Sequence, residues 1–206
     1  MEGTEEIKQK ILDRSDILFR KYGIKSVTMD DIAKELGMSK KTIYQYVDNK
    51  NDLLSQIMVK YLKEETDAID KIQSETSDAV EEMVLITQHV LKQLRSFPPS
   101  TMYDLQKYYR EIWMLMQNFH QKNIYNCIHK NIEKGIRKGL YQKDIDMDII
   151  TKFYVGKVLI VADEDMFPLK KYDKEKLLKQ YMLYHIRGIA TEKGLKKLEK
   201  HIKNLL

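Results

Sequence analysis

Apolar residues recur along most of the chain at intervals of three and four, the spacing that places them on one side of an α-helix. In residues 5–22, Ile7, Ile11, Leu18 and Tyr22 share such a face, with Leu12 and Phe19 beside them. Gly23 follows as a helix stop. The same spacing predicts further long helices at 50–72, 78–96 (ended by Phe97-Pro98-Pro99), 111–138, 146–163 and 173–191, and shorter ones at 101–108 and 195–205. No stretch alternates with a period of two long enough for a sheet, so the predicted fold class is all-α.

Three helix-start signals follow one another closely near the N-terminus. Thr28 is followed three residues later by Asp31, the spacing of a capping box. Ser39 precedes a second short helix, which we expect to carry Val47, and Asn49 precedes a longer one. Closely spaced caps of this kind predict three short, tightly connected helices.

Residues 28–47 read TMDDIAKELGMSKKTIYQYV and predict two short helices joined by a tight turn at Gly37. Small Ala33 stands where these helices must approach closely. An apolar seam between them can form from Ile32, Leu36, Met38, Ile43 and Val47. This is the helix-turn-helix arrangement, whose second helix is held at an angle that lets it enter the DNA major groove.

The polar face of the second helix carries residue types that suit DNA. It consists of Ser39, Lys40, Lys41, Thr42, Tyr44 and Gln45. The lysines can reach phosphates or guanine acceptors, Gln45 can pair with adenine, and Thr42 and Tyr44 can reach phosphates or a thymine methyl group. Helix N-termini near Thr28 and Lys50 offer N–H groups to phosphate oxygens. The alternative is an ordinary solvated helix surface.

With these residues the sequence resembles the tetracycline-repressor (TetR) family, most strongly over residues 7–60. The resemblance is carried by Ile11, Phe19-x-x-x-Gly23, Thr28-x-x-Asp31-Ile32-Ala33, Gly37-Met38-Ser39 and Thr42-Ile43-Tyr44-x-Tyr46-Val47-x-x-Lys50-x-x-Leu53-Leu54. Farther on, Glu133-Lys134-Gly135-Ile136-Arg137-Lys138-Gly139-Leu140 looks like the family's usual end to its long central helix. Ser15 stands where the family usually has alanine, and Gln45 where a second aromatic is frequent.

The resemblance implies an N-terminal three-helix helix-turn-helix DNA-binding domain, residues 1–52, followed by a larger helical ligand-binding and dimerisation domain, residues 53–206. It implies a homodimer on a double-stranded operator, an inverted repeat, and a repressor that a small-molecule effector releases by moving the two DNA-reading heads apart. Positions that contact DNA in relatives are matched by Thr28, Lys40, Thr42, Tyr44, Tyr46 and Lys50. The helical face adds Ser39, Lys41 and Gln45 to this set.

Aromatic residues and methionines are concentrated between residues 103 and 119, as the walls of an apolar pocket require. The candidate ligand-binding residues are Tyr103, Tyr109, Trp113, Met116 and Phe153. Plain core packing is the alternative for each of them. The identity of the effector does not follow from these residues.

The helices 146–163 and 173–191 are the candidate dimer surface, with Gly156 and Gly188 allowing close approach. Side chains that could fill the seam are Val158, Leu159, Leu177, Leu178, Tyr181, Met182 and His185. Packing within one chain is the alternative. The lysine-rich last helix, apolar at Leu195, Leu198, Ile202 and Leu205, is expected to dock on the protein rather than on a membrane.

The charge of the chain adds little to this picture. The net charge is +5, yet residues 1–50 hold ten Lys/Arg against nine Asp/Glu, so DNA binding would depend on a few well-placed cations. A single cysteine, Cys127, rules out an internal disulfide and suits a reducing compartment. No signal peptide or membrane span is visible, which predicts a cytoplasmic protein.

Two other functional classes are alternatives to a DNA-binding regulator. An enzyme would need a constellation such as a nucleophile elbow, a glycine-rich phosphate loop or a metal-binding His/Cys cluster, and the sequence shows none, so neither a metal nor a cofactor is expected. A helical protein-interaction module that keeps a helix-turn-helix without using it on DNA stays open, because residues 1–50 are nearly neutral. The operator sequence, and activation as opposed to repression, also stay open.

Overall fold

The computed structural model describes residues 2–96, 98–163, 165–168 and 170–203, and their only β-structure is an isolated bridge between Tyr141 and Ala190. The described helices are α1 Glu2–Tyr22, α2 Met29–Leu36, α3 Lys40–Ile43, α4 Lys50–Glu75, α5 Ala79–Ser96, α6 Pro99–Tyr108, α7 Arg110–Arg137, α8 Met147–Ala162, α9 Lys174–Ile189 and α10 Glu192–Ile202. The all-α fold class and its helix order are thus confirmed. Phe97, the side chain of Leu159 and residue Leu205, to which the sequence analysis gave roles, lie outside the described residues.

The helices form two compact units. Unit 1 comprises Met1–Glu65 and Arg95–Phe119, and unit 2 comprises Thr66–Leu94 and His120–Leu206. The helix-turn-helix region therefore shares a unit with α6 and the first part of α7. The functional boundary predicted at residue 52 concerns which part reads DNA and which part senses a ligand, and it stays a prediction.

Unit 1 is organised around one apolar core. The residues with no exposed surface include Ile11, Ile24, Ile32, Ile43, Leu53, Leu54 and Leu105. Leu105 lies on α6 and Met116 on α7, so the second segment of the unit contributes directly to the core that holds the helix-turn-helix together. Burial of several large apolar side chains, each contributing about 1.5–3 kcal/mol, is what stabilises such a short set of helices.

Ser15 is fully buried in α1, and among the described residues its hydroxyl has no hydrogen-bond partner. We expect Ser15→Ala to raise the free energy of unfolding by about 1 kcal/mol, because it removes a buried unsatisfied hydroxyl and improves helix propensity. That gain corresponds to a melting temperature higher by roughly 2–4 °C. Thermal denaturation beside the control Ser100→Ala, at an exposed position, checks this; a lower melting temperature for Ser15→Ala would show that the hydroxyl is satisfied.

Unit 2 combines an apolar core with a buried polar network. The core draws on α5, the C-terminal half of α7, α8, α9 and α10, with Met83, Ile132, Met182 and Ile186 among its fully buried members. The network centres on Glu82, which is fully buried and pairs with Lys134. At the end of α7, Gly139 adopts a φ of 67°, a left-handed conformation that lets the chain leave the helix.

Three residues assigned to the dimer seam from sequence face the interior of their own chain instead. Tyr181, Met182 and His185 are 6%, 0% and 8% exposed, and the rings of Tyr181 and His185 each lie 4.7 Å from the ring of Tyr154. Burial lowers the pKa of His185 to about 4, with a further contribution from the charge of Lys157. The alternative of packing within one chain therefore holds for these three positions.

Candidate nucleic-acid interface

The first helix of the motif begins and ends as its sequence predicts. The hydroxyl of Thr28 accepts a hydrogen bond of 3.2 Å from the backbone N–H of Asp31, and the Asp31 carboxylate accepts one of 2.8 Å from the N–H of Thr28. The Thr28 hydroxyl also donates to the Asp31 carboxylate at 2.6 Å, and this bond, together with the one from the backbone N–H of Thr28, lowers the pKa of Asp31. Gly37 ends the helix with a φ of 63°, and Ile32, Ala33 and Leu36 are buried beneath it. The capping box and the turn are confirmed, and they fix the direction in which α3 leaves.

The second helix is shorter than predicted. Ser39 caps it through a 3.0 Å bond from the N–H of Thr42 to its hydroxyl, but the helix ends at Ile43. Beyond it the chain continues as hydrogen-bonded turns, in which the N–H of Val47 donates to the carbonyl of Ile43 at 3.3 Å. Tyr46 lies in this turn, half-buried against the core of unit 1. The apolar seam of Ile32, Leu36, Met38, Ile43 and Val47 is confirmed, because all five belong to or pack on that core.

The face of α3 is open to solvent. Ser39, Lys40, Lys41, Tyr44 and Gln45 are exposed, Tyr44 by 46%, and Thr42 is half-buried. The hydroxyls of Ser39 and Thr42 lie 2.8 Å apart and share a hydrogen bond. The structure therefore brings the predicted recognition residues onto one accessible surface, where their side chains are available to a groove.

Lys40 is already paired within the chain. Its Nζ lies 2.7 Å from the carboxylate of Asp30 on α2, and this hydrogen bond raises the pKa of Lys40. To contact a phosphate, Lys40 must exchange one anionic partner for another. Sequence reasoning did not single out Asp30, because the pair joins two helices and has no signature in residue spacing.

Lys50 opens α4 and is half-buried. Its Nζ donates to the carbonyl of Lys25 at 3.5 Å, and burial lowers its pKa. The start of α4 is fixed by Asn49, whose side-chain oxygen accepts from the N–H of Asp52 at 3.0 Å. The predicted cap is confirmed, and Lys50 joins the start of α4 to the loop between α1 and α2.

The candidate ligand-binding residues have different surroundings. Tyr103 and Phe153 are 53% and 59% exposed, Met116 is buried in the core of unit 1, and Tyr109 and Trp113 pack against that core. Phe153 belongs to unit 2, and the other four belong to unit 1. Their role in binding a ligand stays a prediction.

One group of potential metal ligands was not visible in the sequence. Asp78, Glu81 and His201 bring ligand atoms within 4.8 Å of one another. However, the ammonium of Lys197 lies 2.9 Å from the Asp78 carboxylate, so a lysine already supplies the cation there. In the part of the chain that is described, no helix is both long and apolar enough to cross a membrane.

Comparisons with known proteins agree with this geometry. The family of bacterial regulatory proteins, tetR family, matches residues 11–57. An uncharacterised HTH-type transcriptional regulator of Bacillus subtilis (strain 168), YhgD, is 28% identical over 190 residues, which cover 89% of this chain and 97% of that protein. The HTH-type transcriptional repressor KstR2 of Rhodococcus jostii (strain RHA1) is 22% identical over 207 residues, which cover 92% and 94% of the two chains.

A solved structure shows the same fold over nearly the whole chain. The transcriptional regulator FadR from Bacillus subtilis, in complex with stearoyl-CoA, superimposes with a TM-score of 0.64 at 18% identity, covering 88% of this chain and 98% of its own. The family match falls on the helix-turn-helix, and the similarity to HTH-type transcriptional regulators extends over most of the chain. Residues 11–57 therefore match the tetR family of bacterial regulatory proteins, and the chain as a whole resembles HTH-type transcriptional regulators.

Proposed function

We propose that this protein is a repressor that binds an inverted-repeat operator as a homodimer and is released by a small-molecule effector. The observation that carries the DNA-binding role is the open surface of α3 and the turn after it, where Lys41, Tyr44 and Gln45 are exposed, and Lys40 pairs with Asp30 in the first turn of α2. Phosphate contacts would position this face, and the side chains of α3 would contact base edges. The repressor named among the relatives supports the direction of regulation. A cytoplasmic location follows, since the operator is there.

Selection of duplexes from a random-sequence library at about 0.15 M salt, an ionic strength at which nonspecific phosphate binding is weakened, tests this role. We expect the wild type to enrich an inverted repeat and Tyr44→Ala/Lys50→Ala to enrich none. Lys171→Ala/Tyr172→Ala, which removes the same residue types from an exposed loop of unit 2, is the matched control. Because Lys50 bonds to the carbonyl of Lys25, melting curves must show that the double variant is folded.

The alternative function, a protein-interaction module that does not use DNA, predicts a different result. A DNA-binding regulator should enrich a sequence from the library, and its binding through several phosphates should weaken steeply as salt rises. The protein-interaction module should enrich no sequence. Absence of enrichment by a folded wild type, in preparations freed of bound small molecules, would contradict the proposed function.

The dimer surface is proposed on α8 and α9. Ile149, Phe153 and Ile160 on α8 are 49%, 59% and 44% exposed, and their spacing places them on one stripe together with Gly156. On α9, Tyr184 is 66% exposed, and no atom lies within 4 Å of a Cβ built at Gly188. A stripe of exposed large apolar side chains is typical of a surface that a partner covers. In a two-fold homodimer, the same stripe of a second copy of the chain would cover it.

We expect Phe153→Glu to convert the dimer to a monomer and to weaken operator binding, because a carboxylate would be buried in the interface without a partner. The monomer should appear by sedimentation or light scattering at micromolar concentration. Leu85→Glu, at an exposed apolar position on α5, is the control and should stay dimeric. A Phe153→Glu variant that remains a dimer would place the interface elsewhere.

The protein is proposed to adopt two helix packings. In one of them the two reading heads match the spacing of the operator half-sites, and in the other they do not. The effector would act by binding the second packing more tightly. The solved relative that contains stearoyl-CoA supports a small-molecule ligand for this fold. The candidate residues for it remain Tyr103, Tyr109, Trp113, Met116 and Phe153. A ligand that saturates the protein but leaves operator affinity unchanged would contradict this mechanism.

A further inference from the structure

A basic and aromatic surface lies at the end of α6, outside the helix-turn-helix. It consists of Lys25, Tyr103, Lys107 and Tyr108, and we call it the α6 patch. The Nζ of Lys25 lies 4.1 Å from the centre of the Tyr108 ring, and the Nζ of Lys107 donates to the Tyr103 hydroxyl at 2.6 Å. All four side chains are exposed. Lys25 therefore forms one surface with three residues that lie 78 or more positions later in the sequence.

The two lysines of the α6 patch keep their charges available. In the described part of the chain, neither ammonium forms an ion pair with a carboxylate, and both rest against tyrosine rings instead. The nearby carboxylate, Asp104, is only 9% exposed and accepts a 2.8 Å hydrogen bond from the backbone N–H of Lys25. An ammonium group that rests on an aromatic ring can bind a phosphate without first breaking an ion pair, because the ring carries no negative charge.

The α6 patch is fixed to the reading head. Besides the bond from Lys25 to Asp104, Leu105 of α6 is fully buried in the core that contains the helix-turn-helix. Gly23, with a φ of 85°, brings the end of α1 so close that a Cβ there would lie 3.3 Å from the Asp104 carboxylate. The α6 patch and the helix-turn-helix both belong to unit 1, so the patch keeps its position relative to α2 and α3.

The α6 patch is also continuous with the residues expected to contact phosphate. The carbonyl of Lys25 accepts a 3.5 Å hydrogen bond from Lys50, one of the residues predicted to contact DNA. Three residues after Lys25, Thr28 caps the N-terminus of α2. Direct contacts of Lys25 thus link the start of α4, the loop between α1 and α2, and the end of α6.

We infer that the α6 patch binds the DNA backbone that flanks each half-site, with Lys25 and Lys107 as its phosphate-contacting residues. This rests on the proposed function. The tyrosine hydroxyls can donate to phosphate oxygens, and the lysines neutralise them. Such contacts carry no base specificity, so they raise affinity for every sequence alike and lengthen the DNA segment needed for full affinity.

The test uses the full-length protein, the selected inverted repeat and the variant Lys25→Ala/Lys107→Ala. Both side chains are exposed and the bond to Asp104 comes from the backbone of Lys25, so the fold is retained. We expect about a tenfold loss of affinity, equal for operator and unrelated duplexes. The slope of log affinity against log salt should fall by about 0.9 for each lost contact, hence up to about 3.6 for the four lysines of a dimer. Lys196→Ala/Lys200→Ala, on the exposed side of α10, should behave as the wild type.

Trimming the duplex gives a second readout. Shortening the flanks to the ends of the inverted repeat should weaken wild-type binding and leave the double variant unaffected, because the variant has already lost the flanking contacts. An unchanged salt slope, or equal sensitivity of the two proteins to trimming, would overturn the inference while leaving the proposed function standing. A wild type that enriches no operator would overturn both.

Discussion

Replacing Glu82 with alanine is expected to lower the free energy of unfolding by about 3–5 kcal/mol, the usual cost of breaking a buried ion pair from one side. Glu82 is fully buried, and its carboxylate accepts from the side-chain amides of Gln73 at 3.0 Å and Asn131 at 2.8 Å. It also pairs with Lys134, whose side chain is 18% exposed. Alanine would leave this ammonium without its counter-charge in the interior of unit 2.

The substitution of Glu82 would weaken contacts between several helices. The Nζ of Lys134 also donates to the carbonyls of Gln73 and Thr76 at 2.9 Å each, at the C-terminal end of α4, where carbonyls lack partners within the helix. The side chain of Asn131 donates in addition to the carbonyl of Ala79 at 2.9 Å. Glu82 therefore orients the groups that join the end of α4, the start of α5 and α7.

Chemical denaturation followed by circular dichroism measures the effect. Glu81→Ala, at the half-buried neighbouring position on the same helix, is the matched control and should cost far less. The double variant Glu82→Leu/Lys134→Met should recover part of the loss, because an apolar pair of similar volume leaves no buried charge unpaired. A Glu82→Ala variant within about 1 kcal/mol of the wild type would show that the pair is far more hydrated than its burial indicates.

The helix starts were predictable because each depends on residues close in sequence. Thr28 with Asp31, Ser39 and Asn49 form the caps that their positions indicated, and Gly37 and Gly139 end helices with a positive φ. The polar network was not predictable, because Glu82 and Lys134 lie on different helices and either residue alone suits a solvated surface. The same holds for Lys25 and Tyr108, which only the tertiary fold brings together.

The faces of α8 were ambiguous for another reason. This helix is apolar on most of its circumference, so its periodicity does not separate the side that packs inside from the side that is exposed. Phe153 and Tyr154 are neighbours, yet Phe153 is 59% exposed and Tyr154 is 9% exposed. Leu105 of α6 likewise joins the core of unit 1 from far along the chain, a contact that residue spacing near the N-terminus does not reveal.

The last prediction concerns Gly135, in the last turn of α7. In a helix interior, Gly→Ala ordinarily stabilises by about 0.5–1 kcal/mol. Here a Cβ at position 135 would lie 2.6 Å from Cγ of Tyr141, and closer still to two other ring carbons. Tyr141 is 1% exposed, and its hydroxyl donates toward Asn131 Oδ1 at 3.0 Å and the carbonyl of Ala79 at 3.2 Å. The ring has no room to retreat without leaving its site.

We therefore expect Gly135→Ala to destabilise the protein by about 3–5 kcal/mol, the cost of losing a large aromatic side chain from a packed core. The sign should reverse when the ring is absent: in the background of Tyr141→Ala, Gly135→Ala should stabilise by about 0.5–1 kcal/mol, its ordinary value in a helix. A double-mutant cycle by chemical denaturation measures this coupling. Gly3→Ala, with no atom within 4 Å of the added Cβ, is the control. Equal effects of Gly135→Ala in the two backgrounds would mean that the Tyr141 ring does not pack on α7 at this position.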